Sequence, residues 1–481
     1  MTGEILALYD ITGIQNYIFA TNKLKDIIGA SCIIKDVLDK TAEDLLKGLG
    51  NVVYIGGGNA LFEFYNKDNY IKFNRRFSRE LLVKAPGVNF VTEYCDNKGD
   101  LGELRKKLYT SISLKKNIAK DNCQCNILPI MMQSNVDRQQ VTHIDTSDEG
   151  ILFLSHAAMV KNDRGDKETS NTKFKDTNTI AEPFVDTTTK DGIAKFEAQN
   201  LLAVVHIDGN NMGELIDKAF CNAKNANDMK NISQNVNYAF EDSLRAIESA
   251  FPELPFRKIY QNGDDVTFVC HSAYALSAVE IFFKELQKHK KNELKDLSAS
   301  AGIAFTKPHF PISKAYNIAE SRCKNAKKIA KNRSNSHDIG CWLDFEVICG
   351  SDSTNDLEAY ELRPYYVTGL AEDISLGDIK YAHFGVLMSI LKSLDDKKAR
   401  SKIKALRNAF VFSDINYVAA KMSSLEQSFL GEYDLYTGKA KGKSWDFSLD
   451  MKGSLQNDND ITPVYDALDI MDINISREVN E

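Results

Sequence analysis

The residues best suited to carry chemistry in this sequence are three aspartates. Asp264 and Asp265 are neighbours in the stretch FRKIYQNGDDVTFVC, and Asp208 ends the apolar stretch LLAVVHID upstream. In a split βαβ unit the first strand lies beside the central hairpin, which would bring Asp208 close to the other two. Three converging carboxylates repel one another unless a cation neutralises them. The pattern therefore predicts a site for Mg²⁺ or Mn²⁺, which take oxygen ligands and substrate phosphates.

The turn also has a simpler interpretation. Asn-Gly and Asp are preferred hairpin residues, so the tetrapeptide NGDD alone fits a turn with no further role. The strand-terminal Asp208 favours the metal site, because turn propensity does not require a third acid upstream. Two ions held there would clamp an in-line displacement at phosphorus. Gly263 permits a tight turn and a close approach of backbone to ligand.

The hairpin occurs twice in the chain. The stretch NVVYIGGGNALFEF has the same outline, with Gly58 and Asn59 at the positions of the two acids, and EILALYD ends in Asp10. Each copy reads strand, helical region, strand, turn, strand, helix, strand, which is the order of a ferredoxin-like layer of helices on an antiparallel sheet. We predict an α+β protein with two ferredoxin-like domains in tandem and a helical C-terminal domain.

The boundaries follow from periodicity and composition. The predicted divisions are a first domain at 1–150, a polar linker or insert at 151–198, a second domain at 199–348, and a helical domain with an acidic tail at 349–481. Strands are expected near 4–10, 51–56, 60–65 and 88–95, and again near 201–208, 256–261, 266–270 and 297–305. Helices are expected near 212–250, 273–290 and 313–331.

Two local predictions accompany these boundaries. Ser313 is a suitable N-cap for the helix over 313–331, because the preceding KPHFPI cannot continue a helix. The stretch from 160 to 179 is polar and almost free of large aliphatic residues, which predicts a mobile loop or linker.

Composition narrows the class of protein. Of the 481 residues, 43% are hydrophobic and 26% charged, as in soluble globular proteins. No apolar run approaches the roughly 20 residues that span a bilayer. The acidic N-terminus lacks a basic leader, so we expect no secretory signal, no membrane association and a cytoplasmic protein. Nine mostly scattered cysteines suit reduced thiols. The net charge of −7 argues against a generic nucleic-acid coat but leaves a local basic groove open.

Basic segments give weaker signals. The predicted helix over 313–331 ends in several Lys and Arg, which the macrodipole favours at a helix C-terminus. Lys327 is the one that we expect to reach a triphosphate if this helix flanks the site. The segments 105–120 and 397–407 could touch RNA, although solvated helix faces explain them more simply.

A zinc site is a further open alternative. Cys123 and Cys125 form a C-x-C, and Cys95 and His143 are the nearest further ligands. Structural zinc usually takes paired C-x₂₋₄-C units, so incidental thiols are the favoured interpretation.

Several of these motifs resemble a known family. Asp208 in HIDGNNMG, the NGDD turn, SAGIAF and AESRCKNAK together resemble a nucleotide-cyclase palm domain related to GGDEF and class III cyclases. YDITGIQNYIF, DIIGASCII and YIGGGNALF are similar to the first palm of the large subunit of type III CRISPR effector complexes. The resemblance covers residues 1–95 and 200–345, and it implies two palm domains of the cyclase type.

In that family the second palm makes cyclic oligoadenylates from ATP with two divalent ions, while the first holds another nucleotide. The resemblance implies metal ligation and catalysis by Asp208, Asp264 and Asp265. It implies nucleotide binding by Gly56, Gly57, Gly58, Asn59, Gly263, Ser300 and Lys327. The glycines of GGGN would let backbone amides approach a nucleotide without metal ligands. Implied partners are nucleoside triphosphates, small CRISPR effector subunits and guide or target RNA; a homodimer stays open.

The chain departs from the family pattern at several positions. Asn262 replaces a glycine of the turn, and Asn210 stands where many relatives have a second acid. Because the first palm-like motifs begin at the first residues, we expect the HD nuclease domain of that family to be missing. The His337-Asp338 dipeptide has no visible metal cluster around it, so we predict no DNase activity. The leading hypothesis is a metal-dependent nucleotidyltransferase or cyclase that makes a nucleotide second messenger from ATP in antiviral defence, with a guanylate product as a lesser option. The alternative is a non-catalytic scaffold of an RNA-guided ribonucleoprotein.

Overall fold

The computed structural model describes residues 3–119, 130–147, 150–170, 172–182, 200–221, 226–252, 254–333, 339–348, 363–368, 383–395, 463–471 and 473. Two larger sheets and a small hairpin organise these residues. The predictions at 397–407, at Cys123 and Cys125, and at His337-Asp338 lie outside the described residues, as does most of 349–481.

The first sheet belongs to what we call the first unit, residues 3–119. Its strands are β1 (Ile5–Thr12), β2 (Gly50–Gly56), β3 (Asn59–Phe64) and β4 (Asn89–Asp96), in the antiparallel order β2-β3-β1-β4. Its helices are α1 (Ile14–Ile18), α2 (Leu24–Asp36), which continues through a π-helical turn Val37–Ala42 into α3 (Glu43–Leu46), then α4 (Lys67–Lys84) and α5 (Leu101–Ala119). Almost every residue of β1 is buried, because helices and strands enclose it on both faces.

The second sheet belongs to the second unit, residues 200–395. Its strands are β7 (Leu202–Gly209), β8 (Phe256–Asn262), β9 (Asp265–His271), β10 (Ala299–Thr306), β11 (Cys341–Val347) and β12 (Tyr365–Thr368), in the order β12-β11-β10-β7-β9-β8. Its helices are α8 (Met212–Cys221), α9 (Ala226–Ala250), α10 (Ala275–Lys288), α11 (Ile312–Arg333) and α12 (Phe384–Asp395). The predicted helix over 212–250 is thus two helices, and β11, which pairs parallel with β10, was not predicted.

The first four strands of each unit have the same order, and their landmarks recur. Asp10 pairs with Asn59 across β1 and β3, as Asp208 pairs with Asp265 across β7 and β9. Three residues after each strand-end aspartate the backbone is left-handed, with φ of 68° at Gly13 and 51° at Asn211. The prediction of a mixed helix-and-sheet protein is confirmed.

The units pack on each other reciprocally. Helix α2 of the first unit lies on β8 of the second, and α9 of the second lies on β2 of the first. Between them the two hairpin turns meet, since a Cβ on Gly263 would lie 3.2 Å from the Gly57 nitrogen. Equivalent elements that contact each other in both directions are the mark of an approximate twofold relation. Apolar side chains of both units share one core cluster.

The predicted mobile loop at 160–179 is wrong. Most of it is helical, in α6 (His156–Thr169), which follows the hairpin β5 (His143–Ser147) and β6 (Gly150–Leu154), and in α7 (Thr177–Ala181). Helix α6 crosses α2 at two glycines: a Cβ on Gly29 would lie 2.6 Å from the Gly165 nitrogen. Small residues let helix backbones approach closely, so this helix packs on α2 mainly through glycines, with Val160 against the same core cluster.

Polar contacts complete that crossing. Lys25 Nζ lies 2.9 Å from an Asp166 oxygen, and Asn162 Nδ2 donates to Asp26 Oδ1 at 3.1 Å. The ammonium of Lys161 donates to the Tyr17 carbonyl at 2.7 Å. The polar sequence predicts a mobile loop or linker, whereas here the polar groups are hydrogen-bonded partners within a packed interface.

Other predictions need smaller corrections. Ser313 is not an N-cap, because α11 begins at Ile312; the Ser313 hydroxyl instead donates to Asn22 Oδ1 at 2.7 Å. The basic segment 105–120 largely forms α5, where Arg105 pairs with Asp217 and Lys116 with Asp10. Near the C-terminus the described elements are α12 and α13 (Pro463–Ile470). None of the described helices combines the length and apolar character needed to cross a bilayer.

Candidate functional site: the acidic corner of the second unit

Strand pairing brings the predicted acids together. Asp208 lies opposite Asp265 in the antiparallel pair of β7 and β9, and Asp264 is in the two-residue turn between β8 and β9. Gly263 has φ of 62°, which L-residues other than glycine rarely adopt. The sequence therefore closes the hairpin with its two acids next to the end of the first strand. We call Asp208, Asp264 and Asp265 the acidic corner.

Gly209 is required for this corner although the sequence analysis did not single it out. A Cβ on Gly209 would lie 2.9 Å from both Cβ and Oδ2 of Asp264. The Gly209 N–H also donates to the Asp264 carbonyl at 3.1 Å. Only the absence of a side chain at Gly209 lets the turn close over the end of β7.

Lys327 reaches the same corner from helix α11. Its Nζ lies 2.5 Å from Asp208 Oδ2 and donates to the Gly209 carbonyl at 2.8 Å. The approach depends on Gly302 in β10, because a Cβ there would lie 1.9 Å from the Ala319 carbonyl oxygen of α11. The glycine of the SAGIAF motif thus lets α11 lie against the sheet and carry its lysine to the acids.

Burial and like charge disfavour ionisation of the turn acids. Loss of hydration, with a smaller contribution from the neighbouring Asp208 carboxylate, raises the pKa of Asp264 to about 7. The same two causes, joined by the charge of Asp264, raise the pKa of Asp265 well above its usual range. Lys327 opposes both shifts. One lysine for three acids leaves the corner short of positive charge, which is the electrostatic condition for cation binding.

Asp265 has a side-chain oxygen without a protein partner. Its Oδ1 is buried and makes no hydrogen bond among the described residues. The Nδ1 of His206 lies 3.4 Å from this oxygen, but its hydrogen bond is with the Thr267 hydroxyl, at 3.1 Å. Burial lowers the pKa of His206 to about 4, so the imidazole is neutral at physiological pH. A buried carboxylate oxygen left unpaired is a feature that a bound cation would satisfy.

The first unit also reaches the acidic corner. The Gln15 side chain of α1 acts to lower the pKa of Asp265, against the effect of burial. Helix α1 lies beside the first unit's turn, since a Cβ on Gly58 would come 2.6 Å from Ile14 Cδ1. Neither Gln15 nor His206 was identified from sequence, because no spacing rule places them next to Asp265.

The spacing of the three acids is wider than that of one compact ligand set. Among the described residues, ligand atoms that all lie within 4.8 Å of one another occur in Asp242, Glu285 and His289. That set lies on α9 and at the end of α10, and His289 Nε2 is already 2.9 Å from Asp242 Oδ2. In the acidic corner the Lys327 ammonium lies next to Asp208, where a bound metal ion would also lie.

Ser300 and Asn210 lie behind the corner. Both are buried, and the Ser300 hydroxyl donates to Asn210 Oδ1 at 2.9 Å. The Asn210 amide donates in turn to the Gly340 carbonyl at 3.0 Å. Asn210 therefore anchors the end of β7 to the loop before β11. Nucleotide binding by Ser300 stays a prediction.

The glycine turn of the first unit lies on the opposite side of the Gly57–Gly263 contact. Gly57 and Gly58 have φ of 60° and 77°, and Asn59 Nδ2 donates to the Gly57 carbonyl at 3.3 Å. The buried Asn59 Oδ1 has no hydrogen-bond partner among the described residues. Positive φ at both central residues is the pattern of a type I′ turn, which exposes backbone amides.

Comparison with known proteins supports the sequence resemblance. Residues 201–335 match the family described as the second palm domain of Cas10/Cmr2. This segment contains the whole acidic corner and Lys327. No curated protein sequence matches the chain.

Solved structures match almost the whole chain in fold. A Csm1–Csm4 cassette in complex with cA4 covers 98% of this chain and 70% of its own, at 13% identity and a TM-score of 0.60. The cassette in complex with pppApA gives 14% identity and 0.59, and the cassette with one ATP gives 15% and 0.53, with the same coverage. The predicted resemblance is confirmed: residues 201–335 match the second palm domain of Cas10/Cmr2, and the fold of the chain is similar to that of Csm1 in the Csm1–Csm4 cassettes.

Proposed function

We propose that this protein is a metal-dependent nucleotidyltransferase that joins ATP into a cyclic oligonucleotide or related second messenger in type III CRISPR-like antiviral defence. The observation that carries the proposal is the acidic corner. Three carboxylates from two chain segments meet there with one lysine, and one buried carboxylate oxygen has no hydrogen-bond partner in the described part of the chain. Turn formation alone explains none of these features.

The fold supports a tandem-palm interpretation. Residues 1–150 would be the first palm, with its GGGN turn, and 199–348 the second, with NGDD. Residues 151–198 would be an insert whose helix α6 (His156–Thr169) packs on the first palm. Residues 349–481 would form a helical C-terminal domain, apart from β12 (Tyr365–Thr368), which extends the second sheet. The shared strand order and the contact between the two glycine-bearing turns favour two nucleotide sites on either side of that contact.

The residues of the acidic corner fit divalent ions. Asp208, Asp264 and Asp265 supply the hard carboxylate oxygens that Mg²⁺ or Mn²⁺ prefer. Such ions would supply Lewis acidity at phosphorus and lower the pKa of an attacking hydroxyl. The high pKa of Asp264 means that this side chain gives up a proton to become a ligand.

The remaining residues would bind and orient two nucleotides. Lys327, already directed at Asp208, would pair with the triphosphate of the donor ATP. The amides of Gly56, Gly57 and Gly58, with the Asn59 side chain, would hold the acceptor ATP without metal ligands. The acceptor 3′-oxygen would bond to the donor α-phosphorus as the bond to pyrophosphate breaks, and the hydroxyl proton would leave to solvent. Gly263 and Ser300 would shape the donor side.

The similar structures support a proposal about partners. Those structures contain Csm1 with Csm4, in complex with cA4, pppApA or ATP. We propose that this chain likewise acts with small CRISPR effector subunits and RNA, and takes nucleoside triphosphates as substrates. A non-catalytic scaffold is the second candidate. It would explain the cross-unit packing but not the unpaired oxygen of Asp265.

Product analysis separates the two candidates. Purified protein is incubated with Mn²⁺ or Mg²⁺ and each nucleoside triphosphate, with and without candidate RNA, and the products are resolved by mass. The nucleotidyltransferase proposal expects an ATP-derived product that an Asp264→Ala/Asp265→Ala variant does not make. Identical behaviour of wild type and variant under every condition would support the scaffold.

A further inference from the structure

Two contacts clamp the units together at equivalent positions. Phe19 lies nine residues after Asp10, and Asp217 lies nine residues after Asp208. Arg105 and Tyr316 each lie eleven residues before the lysine that pairs with a strand-end aspartate. The structure pairs Phe19 with Tyr316 and Arg105 with Asp217, so the same contact occurs once in each direction across the approximate twofold relation.

The two clamps use different chemistry. Arg105 Nη1 lies 2.5 Å from Asp217 Oδ1, and its guanidinium also lies over the rings of Phe220 and Tyr109. This charged clamp is on α5 (Leu101–Ala119) of the first unit. Its partner contact is aromatic: the rings of Phe19 and Tyr316 are stacked, with centroids 3.8 Å apart.

The aromatic clamp continues to the acidic corner. The Tyr316 ring meets the His206 ring edge-on at 5.3 Å, and His206 Nδ1 is 3.4 Å from Asp265 Oδ1. His206 has only 2% of its surface exposed, so its ring has little room to move if Tyr316 is fixed. The Tyr316 hydroxyl is buried and has no hydrogen-bond partner among the described residues, so the ring makes the contact.

We propose that the Phe19–Tyr316 stack positions Asp265: it holds His206 against the carboxylate, so that the first unit fixes the orientation of an acid of the second. The proposal rests on the proposed function, in which Asp265 binds metal. Phe19, Tyr316 and His206 are positioning residues, since none of them is placed against the nucleotide. The charged clamp uses Arg105 of the first unit. That unit has Gly58 and Asn59 at the positions of the two turn acids, so it contains no acid pair that requires orientation.

The experiment uses the full chain with two readouts. Mn²⁺ affinity is measured by electron paramagnetic resonance without nucleotide, and product formation gives kcat and KM for ATP. Phe19→Leu and Tyr316→Leu remove the stack, whereas Tyr316→Phe keeps it. Tyr94→Leu is the matched control, because Tyr94 is a half-buried ring of the first unit that packs on Tyr70, away from α11 (Ile312–Arg333). Thermal unfolding is used to test that every variant is folded.

Loss of the stack should weaken Mn²⁺ binding and lower kcat by about 10-fold or more, as is typical when a group supporting a metal ligand is lost. The KM for ATP should change little. Tyr316→Phe and Tyr94→Leu should behave like wild type. If Tyr316→Leu keeps wild-type Mn²⁺ affinity while Asp265→Asn loses it, the positioning role is overturned. If Asp265→Asn itself leaves Mn²⁺ affinity and product unchanged, the metal site fails instead, and the positioning role fails with it.

Discussion

The end of β1 (Ile5–Thr12) and the end of β7 (Leu202–Gly209) have the same backbone arrangement but differ in the charge of the side chains around them. In the first unit Asp10 is buried and its Oδ2 lies 2.7 Å from Lys116 Nζ, while Asn59 stands opposite. In the second unit Asp208 is similarly paired with Lys327, but Asp264 and Asp265 add two more acids. One corner is therefore balanced, and the other has a surplus of negative charge.

This difference separates structural from functional use of one arrangement. A single aspartate with a lysine from the helix that follows the fourth strand of the unit is compatible with holding that helix against the sheet. Both units make this contact, so the Asp–Lys pair by itself does not indicate catalysis. The surplus acids occur only in the second unit, and they carry the cost of raised pKa values at Asp264 and Asp265. Groups held at such a cost are candidates for function.

The largest expected effect follows removal of the surplus acids. In Asp264→Asn/Asp265→Asn the turn keeps its shape but loses both ligands, and product formation should fall by about 10²–10³-fold or more, since a catalytic ion contributes several kcal/mol. The matched control is Asp242→Asn/Glu285→Gln, which removes two carboxylates of the second unit from another cluster. Product formed per minute is measured by mass spectrometry. Equal losses in both variants would contradict a special role for the acidic corner.

The two lysines should give opposite profiles. Lys327→Met should lower product formation by roughly 10- to 100-fold with a small change in unfolding free energy, because Asp208 stays partly solvated and metal can replace the ammonium. Lys116→Met should lower stability by about 1–2 kcal/mol, because it leaves Asp10 buried without its partner. Denaturant unfolding and product assays measure both. A Lys116→Met enzyme that is stable but inactive would contradict this division.

The pH dependence of Lys116→Met follows from the same contact. Burial already raises the pKa of Asp10, and Lys116 opposes that rise. Without the lysine, the carboxyl keeps its proton to higher pH in the folded than in the unfolded chain, so folded protein binds more protons and stability falls as pH rises. The stability gap between wild type and variant should therefore widen from about pH 4 to pH 7. A gap independent of pH would show that Asp10 is not the group responsible.

Sequence patterns predicted the strand-end and turn residues well because these obey short-range rules. Asp208, Gly263, Asp264 and Asp265 follow from a strand, a two-residue turn and the register between them. Lys327 was also expected, and Gly302 explains how its helix reaches the site. The strand ranges of both units differ from the predicted ones by one or two residues.

Long-range contacts were not predictable in the same way. The proximity of Gln15 and His206 to Asp265 depends on how the units pack, which no local pattern encodes. The sequence of α6 (His156–Thr169) predicts a loop because the helix has no apolar stripe. Its Gly165 instead packs against Gly29 of α2 (Leu24–Asp36). The predicted N-cap at Ser313 is wrong because the helix begins one residue earlier, at Ile312, and the Ser313 hydroxyl instead donates to Asn22 of the first unit.

The smallest effect concerns the contact between the two turns. Gly263→Ala should cost about 1–2 kcal/mol of stability, because its φ of 62° is strained for alanine. It should also lower product formation, since the new Cβ would lie 3.2 Å from the Gly57 nitrogen and push the turns apart. Gly48→Ala is the matched control: its φ is 75°, but a Cβ there meets nothing within 4 Å.

Comparison of these two alanine variants separates the effect of the contact between the two turns from the effect of backbone strain at positive φ. Both should unfold at similar denaturant concentrations, whereas only Gly263→Ala should lose activity. The kcat and KM for ATP should then show whether the turns must touch to hold two nucleotides in reach of each other. Equal activity in both variants would mean that the glycine turn and the acidic corner work independently, and the difference between the two units would then concern metal binding alone.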